Sequence, residues 1–283
     1  MTAMVDQIEA VRDRVAAARR AGQSIGLVPT MGALHEGHAS LIRAAREETG
    51  VVVVSIFVNP LQFGPNEDLD RYPRNPEADL AVCTREGVDL AFAPEAQTLY
   101  PGGACTYVEV QGLEDVLCGP SRPGHFRGVA TVVLKLFNIV QPDKAYFGQK
   151  DAQQTRIIQQ LVRDLNLPVQ IRVCPIVREP DGLALSSRNR YLNAEERRNA
   201  TVLYRTLMEV RRRIEQGETA GNKLRRFIKE RIEQTPGALL DYAEIVSADT
   251  LQPLERIHGH MLVALAVKFG GTRLIDNVTF TAK

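Results

Sequence analysis

The stretch SIGLVPTMGALHEGHASLIRAAREETGVVVVSIFV, residues 24–58, decides the fold. It begins with a short apolar strand over residues 24–28 that ends at Pro29. A helix is predicted over 37–48, because Leu41, Ala44 and Ala45 recur on one helical face. Residues 51–58 then form an almost unbroken apolar, β-branched run, which is typical of a strand that is covered on both faces. The stretch therefore predicts a strand–helix–strand unit inside a layered α/β domain.

The same alternation continues in both directions, as far as residue 177. Further helices are predicted over residues 3–21, 76–86, 127–140 and 152–165, and further strands over 89–92, 106–110, 144–147 and 169–173. Strands that alternate with helices of about a dozen residues indicate βαβ units and a mostly parallel sheet. Ligands of such sheets bind in the loops that follow the C-terminal ends of the strands.

The pattern changes after residue 177. Two successive helices are predicted over 194–216 and 219–234, followed by strands over 240–247, 260–268 and 273–280. Helices first and strands later predict a second, smaller α+β domain. We therefore divide the chain into domains 1–177 and 178–283, joined by the polar, turn-prone segment REPDGLALSSRNR at residues 178–190.

Composition excludes several classes of protein. The chain has 283 residues, 44% hydrophobic and 24% charged, with a net charge of +1, so disorder is excluded as its main state. Neither half has the basic excess of a nucleic-acid-binding protein, and the longest apolar run is too short to cross a bilayer. The N-terminus lacks the apolar core of a secretory signal. Four cysteines without a CxxC pair predict buried or half-buried thiols, no metal knuckle and a cytoplasmic location.

The loop over residues 28–38, VPTMGALHEGH, is the most informative part of the chain. It follows a buried strand and carries His35 and His38 three residues apart at the start of a helix, where they share a face. The helix dipole, free N–H groups and two imidazoles favour an anion there, and Gly32 and Gly37 permit its close approach. Two surface histidines are the plain alternative. Zinc is less favoured, because no third ligand is evident nearby.

Residues 29–38, PTMGALHEGH, closely resemble the nucleotide-binding motif of the pantoate–β-alanine ligases, a family of the HxGH nucleotidyltransferase superfamily. Three further blocks match the family in the same order: FVNPLQF at 57–63, FGQKDAQQ at 147–154 and LSSRN at 185–189. The resemblance covers essentially the whole chain. It implies a Rossmann-like parallel sheet with helices on both faces, and a small C-terminal lid. It also implies ATP as a substrate that arrives with Mg²⁺, and a homodimer.

The resemblance implies that pantoate is adenylated by ATP and that β-alanine then displaces AMP. His38, as proton donor, His35 and Lys150 are the implied catalytic residues. The implied ATP-binding residues are Met31, Gly32, Ala33, Leu34, His35, Glu36, Gly37, His38, Gly148, Gln149, Lys150, Asp151, Val177, Leu185, Ser186, Ser187 and Arg188. Gln62 and Gln154 are implied to bind pantoate, and Gln62 also β-alanine; their amides donate and accept without adding charge. No residue is assigned to a metal.

Several of these residues also have a structural interpretation. Asp151 and Gln154 have the spacing of a capping box, and Asn59 has the place of a turn residue before a proline. Arg127 lies at the start of a helix, where the dipole disfavours a cation, so we expect a bound anion beside it. Gln149 departs from the family, which more often has glutamate there, and Ala152 replaces a larger residue.

Two other functions remain open from the sequence. One is a nucleotidyltransferase that transfers AMP to a phosphorylated acceptor, although Gln62 and Gln154 suit a neutral acceptor better. The other is a catalytically inactive nucleotide sensor, or an RNA-binding relative of aminoacyl-tRNA synthetases. The arginine runs at 211–213 and 225–226 lie among glutamates, so they predict solvated helix faces rather than an RNA surface.

Overall fold

The structure of the chain, a computed structural model, describes residues 2–65 and 67–282. The chain divides into two compact units. The first unit comprises the chain up to Glu114, together with Arg122–Gln149 and Gln154–Pro175. The second comprises Asp115–Ser121, Lys150–Gln153 and the chain from Ile176 onward. No helix in the described ranges has the length and apolar character needed to cross a membrane.

A parallel sheet forms the centre of the first unit. Its strands are β1 (Ala3–Val5), β2 (Ile25–Thr30), β3 (Val51–Ile56), β4 (Leu90–Phe92), β5 (Lys144–Gly148) and β6 (Gln170–Cys174). They lie in the order β1-β4-β3-β2-β5-β6, and every described pairing among them is parallel. Successive strands run outward from β2 through β3 to β4, and the chain then returns to the other side of β2 with β5. The topological switch point therefore lies between β2 and β5.

Helices cover both faces of this sheet, as predicted. The helices of this unit are α1 (Ile8–Arg20), α2 (Glu36–Glu48), α3 (Pro76–Arg85), α4 (Ala96–Leu99), α5 (His125–Val140) and most of α6 (Ala152–Asp164). Val51 and Val53 of β3 point into a core shared with α1 and α5. Val52 and Val54 point into a second core shared with α2 and α3. Alternate side chains of one strand are thus buried on opposite faces, which explains why its sequence is apolar throughout.

One predicted helix of this unit starts later than expected, and one predicted strand is wrong. The helix predicted over 3–21 begins only at Ile8, because residues 3–5 pair with β4 as an edge strand. The strand predicted over 106–110 is absent, although Tyr107, Val108 and Val110 give it a strand-like composition. There the Val108 N–H donates to the hydroxyl of Thr131 on α5, 3.0 Å away, instead of to another strand.

The second unit contains helices α7 (Ala194–Asn199), α8 (Val202–Glu215) and α9 (Gly221–Glu233) and an antiparallel sheet. The sheet contains β7 (Ala238–Ser247), β8 (Gly259–Phe269) and β9 (Thr272–Ala282), in that order. A leucine and isoleucine stripe on α8 and α9 packs onto the buried face of β8. The helix predicted over 194–216 is divided at Ala200–Thr201, where the Thr201 hydroxyl donates to the carbonyl of Arg198.

The arginines of α8 and three of the four cysteines lie in the surroundings predicted from the sequence. Arg211 and Arg212 pair at 2.8 Å with Glu215 and Glu209, as a solvated helix face predicts. Cys83 and Cys118 are buried and Cys174 is half-buried, as predicted. Cys105 is exposed, because it lies in the irregular segment that was expected to lead into a strand.

Candidate functional site

The candidate site of the first unit lies at the switch point of the sheet. The loop after β2 carries residues 31–35 into α2, and β5 ends at Gly148, followed by Gln149. The Gly32 φ of 80° and the Ala33 φ of 51° turn the chain sharply between β2 and α2. The C-terminal ends of two strands flanking a switch point are where open α/β sheets bind their ligands. The position of the loop therefore agrees with the anion site predicted from the sequence.

The two histidines of this loop form one interlocked cap. His35 is the N-cap residue of α2, and its Nδ1 accepts the Gly37 N–H at 3.1 Å. His38 Nδ1 accepts the His35 N–H at 3.2 Å, and the two ring centroids are 4.1 Å apart. A ring nitrogen that accepts a hydrogen bond carries no proton, so these bonds select the neutral tautomer with its proton on Nε2. Both imidazoles are thereby fixed in orientation and in tautomer.

The backbone of the loop differs from the expectation of free N–H groups. The Gly32 N–H donates to the Thr30 hydroxyl at 3.1 Å. The Ala33 and Leu34 N–H groups donate to the carboxylate of Asp79, at 3.1 and 2.7 Å. Together with the caps from His35 and His38, these bonds occupy most of the donors that could hold an anion. The amides of Gly32, Ala33 and Leu34 are therefore structural donors within the loop.

A cluster of uncharged polar side chains follows β3, built around Gln62. Gln62 Oε1 accepts from Asn59 Nδ2 at 3.2 Å, and Gln62 Nε2 donates to Met31 Sδ at 3.1 Å. Asn59 is fully buried; its Nδ2 also donates to the Gly128 carbonyl at 3.1 Å, and its Oδ1 accepts from the Tyr100 hydroxyl at 2.9 Å. Burial raises the pKa of Tyr100 well above its usual value, so its hydroxyl stays protonated as a donor. The cluster presents an oriented carboxamide without a net charge.

Charged groups hold the same segment from its backbone side. His125 Nδ1 lies 2.8 Å from the Gln62 carbonyl oxygen, and His125 Nε2 lies 2.9 Å from Arg122 Nη1. Because Arg122 can only donate, Nε2 accepts and Nδ1 donates to the carbonyl. Glu67 completes the chain with an ion pair to Arg122. The network fixes the main chain of Gln62 while its side chain lies among neutral partners.

The second unit carries Lys150 and Asp151, which follow Gln149 directly. Lys150 Nζ lies 3.8 Å from Asp151 Oδ1, and the carbonyl of Lys150 accepts from Asn277 Nδ2 at 2.9 Å. Asn277 lies on β9, beside the buried Asp276. Asp276 makes a two-pronged ion pair with Arg178 at 2.7 and 2.9 Å. The backbone of Lys150 is thus attached to the C-terminal sheet of this unit.

The segment from Val177 to Arg188 forms a short hairpin in the second unit. The Leu185 N–H donates to the Val177 carbonyl at 3.0 Å, and Arg178 bridges to Ala184. Ser186 follows as the N-cap of a short 3₁₀ helix, Ser187–Tyr191, and its Oγ accepts the Arg188 N–H at 3.2 Å. This is an ordinary capped helix entry. It holds Ser186, Ser187 and Arg188 in consecutive positions at the end of a hairpin.

The predicted site residues thus divide between the units. Residues 31–38, Gln62, Gly148, Gln149 and Gln154 belong to the first unit, and Lys150, Asp151, Val177 and residues 185–188 belong to the second. Gln154 is half-buried on α6, three residues after Asp151. Arg127 is on the surface, where it pairs with Glu109 at 3.3 Å and lies over the Tyr107 ring. An anion beside Arg127 stays a prediction.

Sequence reasoning missed Tyr100, Asp79 and Asn277, which hold the site residues in place. Asp79 alone left a signal, a carboxylate one turn before Cys83 on the apolar side of a predicted helix. Within residues 2–65 and 67–282, no group of three or more His, Cys, Asp or Glu side chains could hold a metal ion.

Comparison with known proteins gives the family. The model of the pantoate-beta-alanine ligase family matches residues 3–279. Pantothenate synthetase from Acetivibrio thermocellus is 56% identical over 275 residues, which cover 97% of this chain and 98% of the relative. The enzyme of the same name from Moorella thermoacetica is 59% identical over 275 residues, or 97% of each chain.

Solved structures agree with the sequence relatives. The crystal structure of pantothenate synthetase from Thermus thermophilus has a TM-score of 0.92 and 47% identity, over 97% of this chain and 98% of that chain. The pantoate-beta-alanine ligase of Francisella tularensis, solved in complex with beta-gamma ATP and beta-alanine, has a TM-score of 0.80 and 38% identity, over 98% of this chain and 97% of that chain. By sequence over nearly its whole length, and by structure, the chain belongs to the pantoate–β-alanine ligase family.

Proposed function

We propose that the residues described above carry out the ATP-dependent condensation of pantoate with β-alanine in two steps. In the first step a carboxylate oxygen of pantoate attacks the α-phosphorus of ATP. The P–O bond to the leaving group breaks, so pantoyl adenylate and pyrophosphate form. In the second step the amine of β-alanine attacks the acyl carbon, AMP leaves, and the nitrogen loses a proton as the amide of pantothenate forms. The interlocked imidazoles of the β2–α2 loop are the observation that carries this proposal.

The first step requires hydrogen-bond donors that stabilise the negative charge developing on the phosphate oxygens. His35 and His38 supply such donors as neutral imidazoles with the proton on Nε2, because their Nδ1 atoms accept backbone N–H groups. Fixed donors of this kind stabilise developing charge without having to reorganise during the reaction. Proton donation by His38 to the leaving group would first require the imidazolium form, in which Nδ1–H would face the His35 N–H. We therefore favour hydrogen bonding over proton transfer for His38.

Pantoate needs partners that bind a hydroxy acid and leave its carboxylate nucleophilic. Gln62 suits this role, because its second N–H and the second lone pair of its Oε1 are not required by Asn59 and Met31. An uncharged cluster leaves the pantoate carboxylate nucleophilic, whereas a cation paired with that carboxylate would weaken its attack on phosphorus. Gln154 is assigned to pantoate as well, and Gln62 also to β-alanine.

Lys150 and the hairpin over residues 177–188 are also assigned to ATP in this proposal. The ammonium group follows charge onto the pyrophosphate, while Arg188 and the hydroxyls of Ser186 and Ser187 hold its oxygens. The remaining nucleotide contacts are assigned to Met31–His38, Gly148–Asp151, Val177 and Leu185. Mg²⁺ enters as the partner of the ATP phosphates, which supply most of its oxygen ligands.

ATP–pyrophosphate exchange tests this function. The purified protein is incubated with ATP, Mg²⁺ and labelled pyrophosphate, with and without pantoate, and label in ATP is measured. Exchange that requires pantoate, followed by pantothenate and AMP on addition of β-alanine, is expected. Exchange that proceeds equally without pantoate contradicts the proposal, and AMP transfer to a phosphorylated acceptor instead supports the alternative nucleotidyltransferase.

The homodimer and the cytoplasmic location are also proposals. Strand β6 ends the order of the sheet and has an exposed valine, Val173, which agrees with a surface that another chain covers. Free cysteines agree with a reducing compartment. Light scattering after size-exclusion chromatography tests the first proposal, since a monomer at assay concentration would contradict it.

A further inference from the structure

Asp79 is a buried carboxylate that contacts the β2–α2 loop from another helix. It lies on α3 with 3% of its surface exposed. Its Oδ2 accepts the Ala33 N–H at 3.1 Å, and its Oδ1 accepts the Leu34 N–H at 2.7 Å. Both carboxylate oxygens thus bind consecutive amides of the nucleotide motif.

The loop needs such a partner because its backbone is strained. Ala33 has a φ of 51°, in the left-handed region that disfavours side chains with a Cβ. Such a conformation persists only when its surroundings hold it. Hydrogen bonds to a carboxylate are stronger than those between two neutral groups, so Asp79 is a suitable partner. Gly32 shows how tightly the carboxylate packs, because a Cβ there would lie 2.8 Å from Asp79 Oδ2. The carboxylate and the loop are therefore complementary in shape and in charge.

The position of His35 depends on this contact. Leu34, whose amide is held most closely, directly precedes His35, the N-cap of α2. The His35 amide in turn orients the His38 ring. We propose that Asp79 is a positioning residue for ATP: it fixes the loop so that both imidazoles meet the phosphates in their productive orientation. This inference rests on the proposed function of the loop in binding ATP.

The substitution Asp79→Asn tests the role with little change in volume. It keeps one acceptor oxygen but points an NH₂ group at one of the two amides. We expect the Kd for ATP, measured by calorimetry, and the KM for ATP in pyrophosphate exchange to rise about tenfold or more, as small misplacements of reacting groups can do. The KM for pantoate is expected to remain within about twofold, because Asp79 bonds to Ala33 and Leu34, whereas Gln62 meets the loop at the Met31 sulfur.

A matched control separates positioning from stability. Asn75 is the N-cap of the same helix, and its Oδ1 accepts the Ala78 N–H at 3.0 Å. Asn75→Ala should destabilise α3 by removing its N-cap, without touching the loop. It should lower the melting temperature and leave the affinity for ATP unchanged. Asp79→Glu keeps a carboxylate but displaces it by one methylene, and it replaces Asp79→Asn if that variant does not fold.

The outcomes distinguish the two proposals. Wild-type affinity for ATP in Asp79→Asn, or in Asp79→Glu where that variant replaces it, would overturn the positioning role, as would an equal loss of affinity in Asn75→Ala. A wild-type protein that binds ATP but shows no pantoate-dependent exchange would overturn the proposed function. Calorimetry on the variants would still decide the role of Asp79 in that case, since it does not require turnover.

Discussion

Gly128 is the position at which a single methyl group should separate pantoate binding from ATP binding. A Cβ at this residue would lie 2.3 Å from the Leu61 carbonyl oxygen and 2.7 Å from the Gln62 nitrogen. Real Cβ contacts under 3.0 Å essentially never occur, so Gly128→Ala must push α5 and the Leu61 backbone apart by at least about 0.7 Å. The neighbour is main chain, which cannot swing away as a flexible side chain would.

The displacement should affect stability and pantoate binding together. Overpacking of this kind costs about 1–3 kcal/mol, which corresponds to a melting temperature lower by about 2–12 °C for a unit of this size. Because Gln62 moves with the backbone, we expect the KM for pantoate in pyrophosphate exchange to rise by about 10- to 100-fold. The Kd for ATP should stay near its wild-type value, since the imidazole loop is not displaced.

The control is Gly271→Ala, where a Cβ would meet no atom within 4 Å. It should melt and react like the wild type, which shows that a methyl group alone is harmless. An unchanged KM for pantoate in a Gly128→Ala protein that is measurably less stable would refute the link between this contact and Gln62. An equal rise in the Kd for ATP would refute the claim that the two subsites are held separately.

Three further predictions concern other parts of the chain. His38→Ala and Lys150→Ala should each lower the rate of pyrophosphate exchange by about 100-fold or more. Both variants should melt within a few degrees of the wild type, and a parallel loss of stability would instead indicate a structural role. Asn277→Ala should lower the exchange rate several-fold at saturating ATP by freeing the Lys150 carbonyl, and an unchanged rate would show that this bond does not position the lysine. Hydrogen bonds from Arg172 and a neighbouring lysine lower the pKa of Glu48 from 4.5 to about 2, so its contribution to stability is present above pH 4.5 and lost as the pH falls toward 2. Thermal melts of Glu48→Gln should therefore depend less on pH over that interval, and a slope equal to that of the wild type would contradict the assignment.

Local pattern was sufficient wherever a segment is stabilised mainly by its own neighbours. The β-branched run at 51–56 and the glycine-containing entry into α2 identify their conformations directly. The same reasoning failed at residues 3–5, because three residues become a strand only through pairing with β4. It failed again at 106–110, where alternation is present but the hydrogen-bond partner is a threonine on a helix.

The candidate site shows the same division. The histidines, the glutamines and the lysine could be found because their chemistry is written in contiguous motifs. The residues that hold them in place could not be found in this way. Asp79 is 45 residues from Leu34 in the sequence, and Asn277 is 127 residues from Lys150. Uncharged or buried partners of this kind have no local signature, and only the fold brings them to the residues they hold. The same limit hid the ion pair between Arg127 and Glu109, since Glu109 lies on a segment assigned to a strand.

The second unit is discontinuous in sequence, and this has a practical consequence for dissecting the protein. A fragment that begins at residue 178 would lack the segments Asp115–Ser121 and Lys150–Gln153, which belong to the same unit. It would leave Arg273 without the Cys118 sulfur that it meets at 3.2 Å, and Asn277 without its acceptor. We expect such a fragment to express poorly. A fusion that joins both segments to it through short linkers should be recovered in folded form.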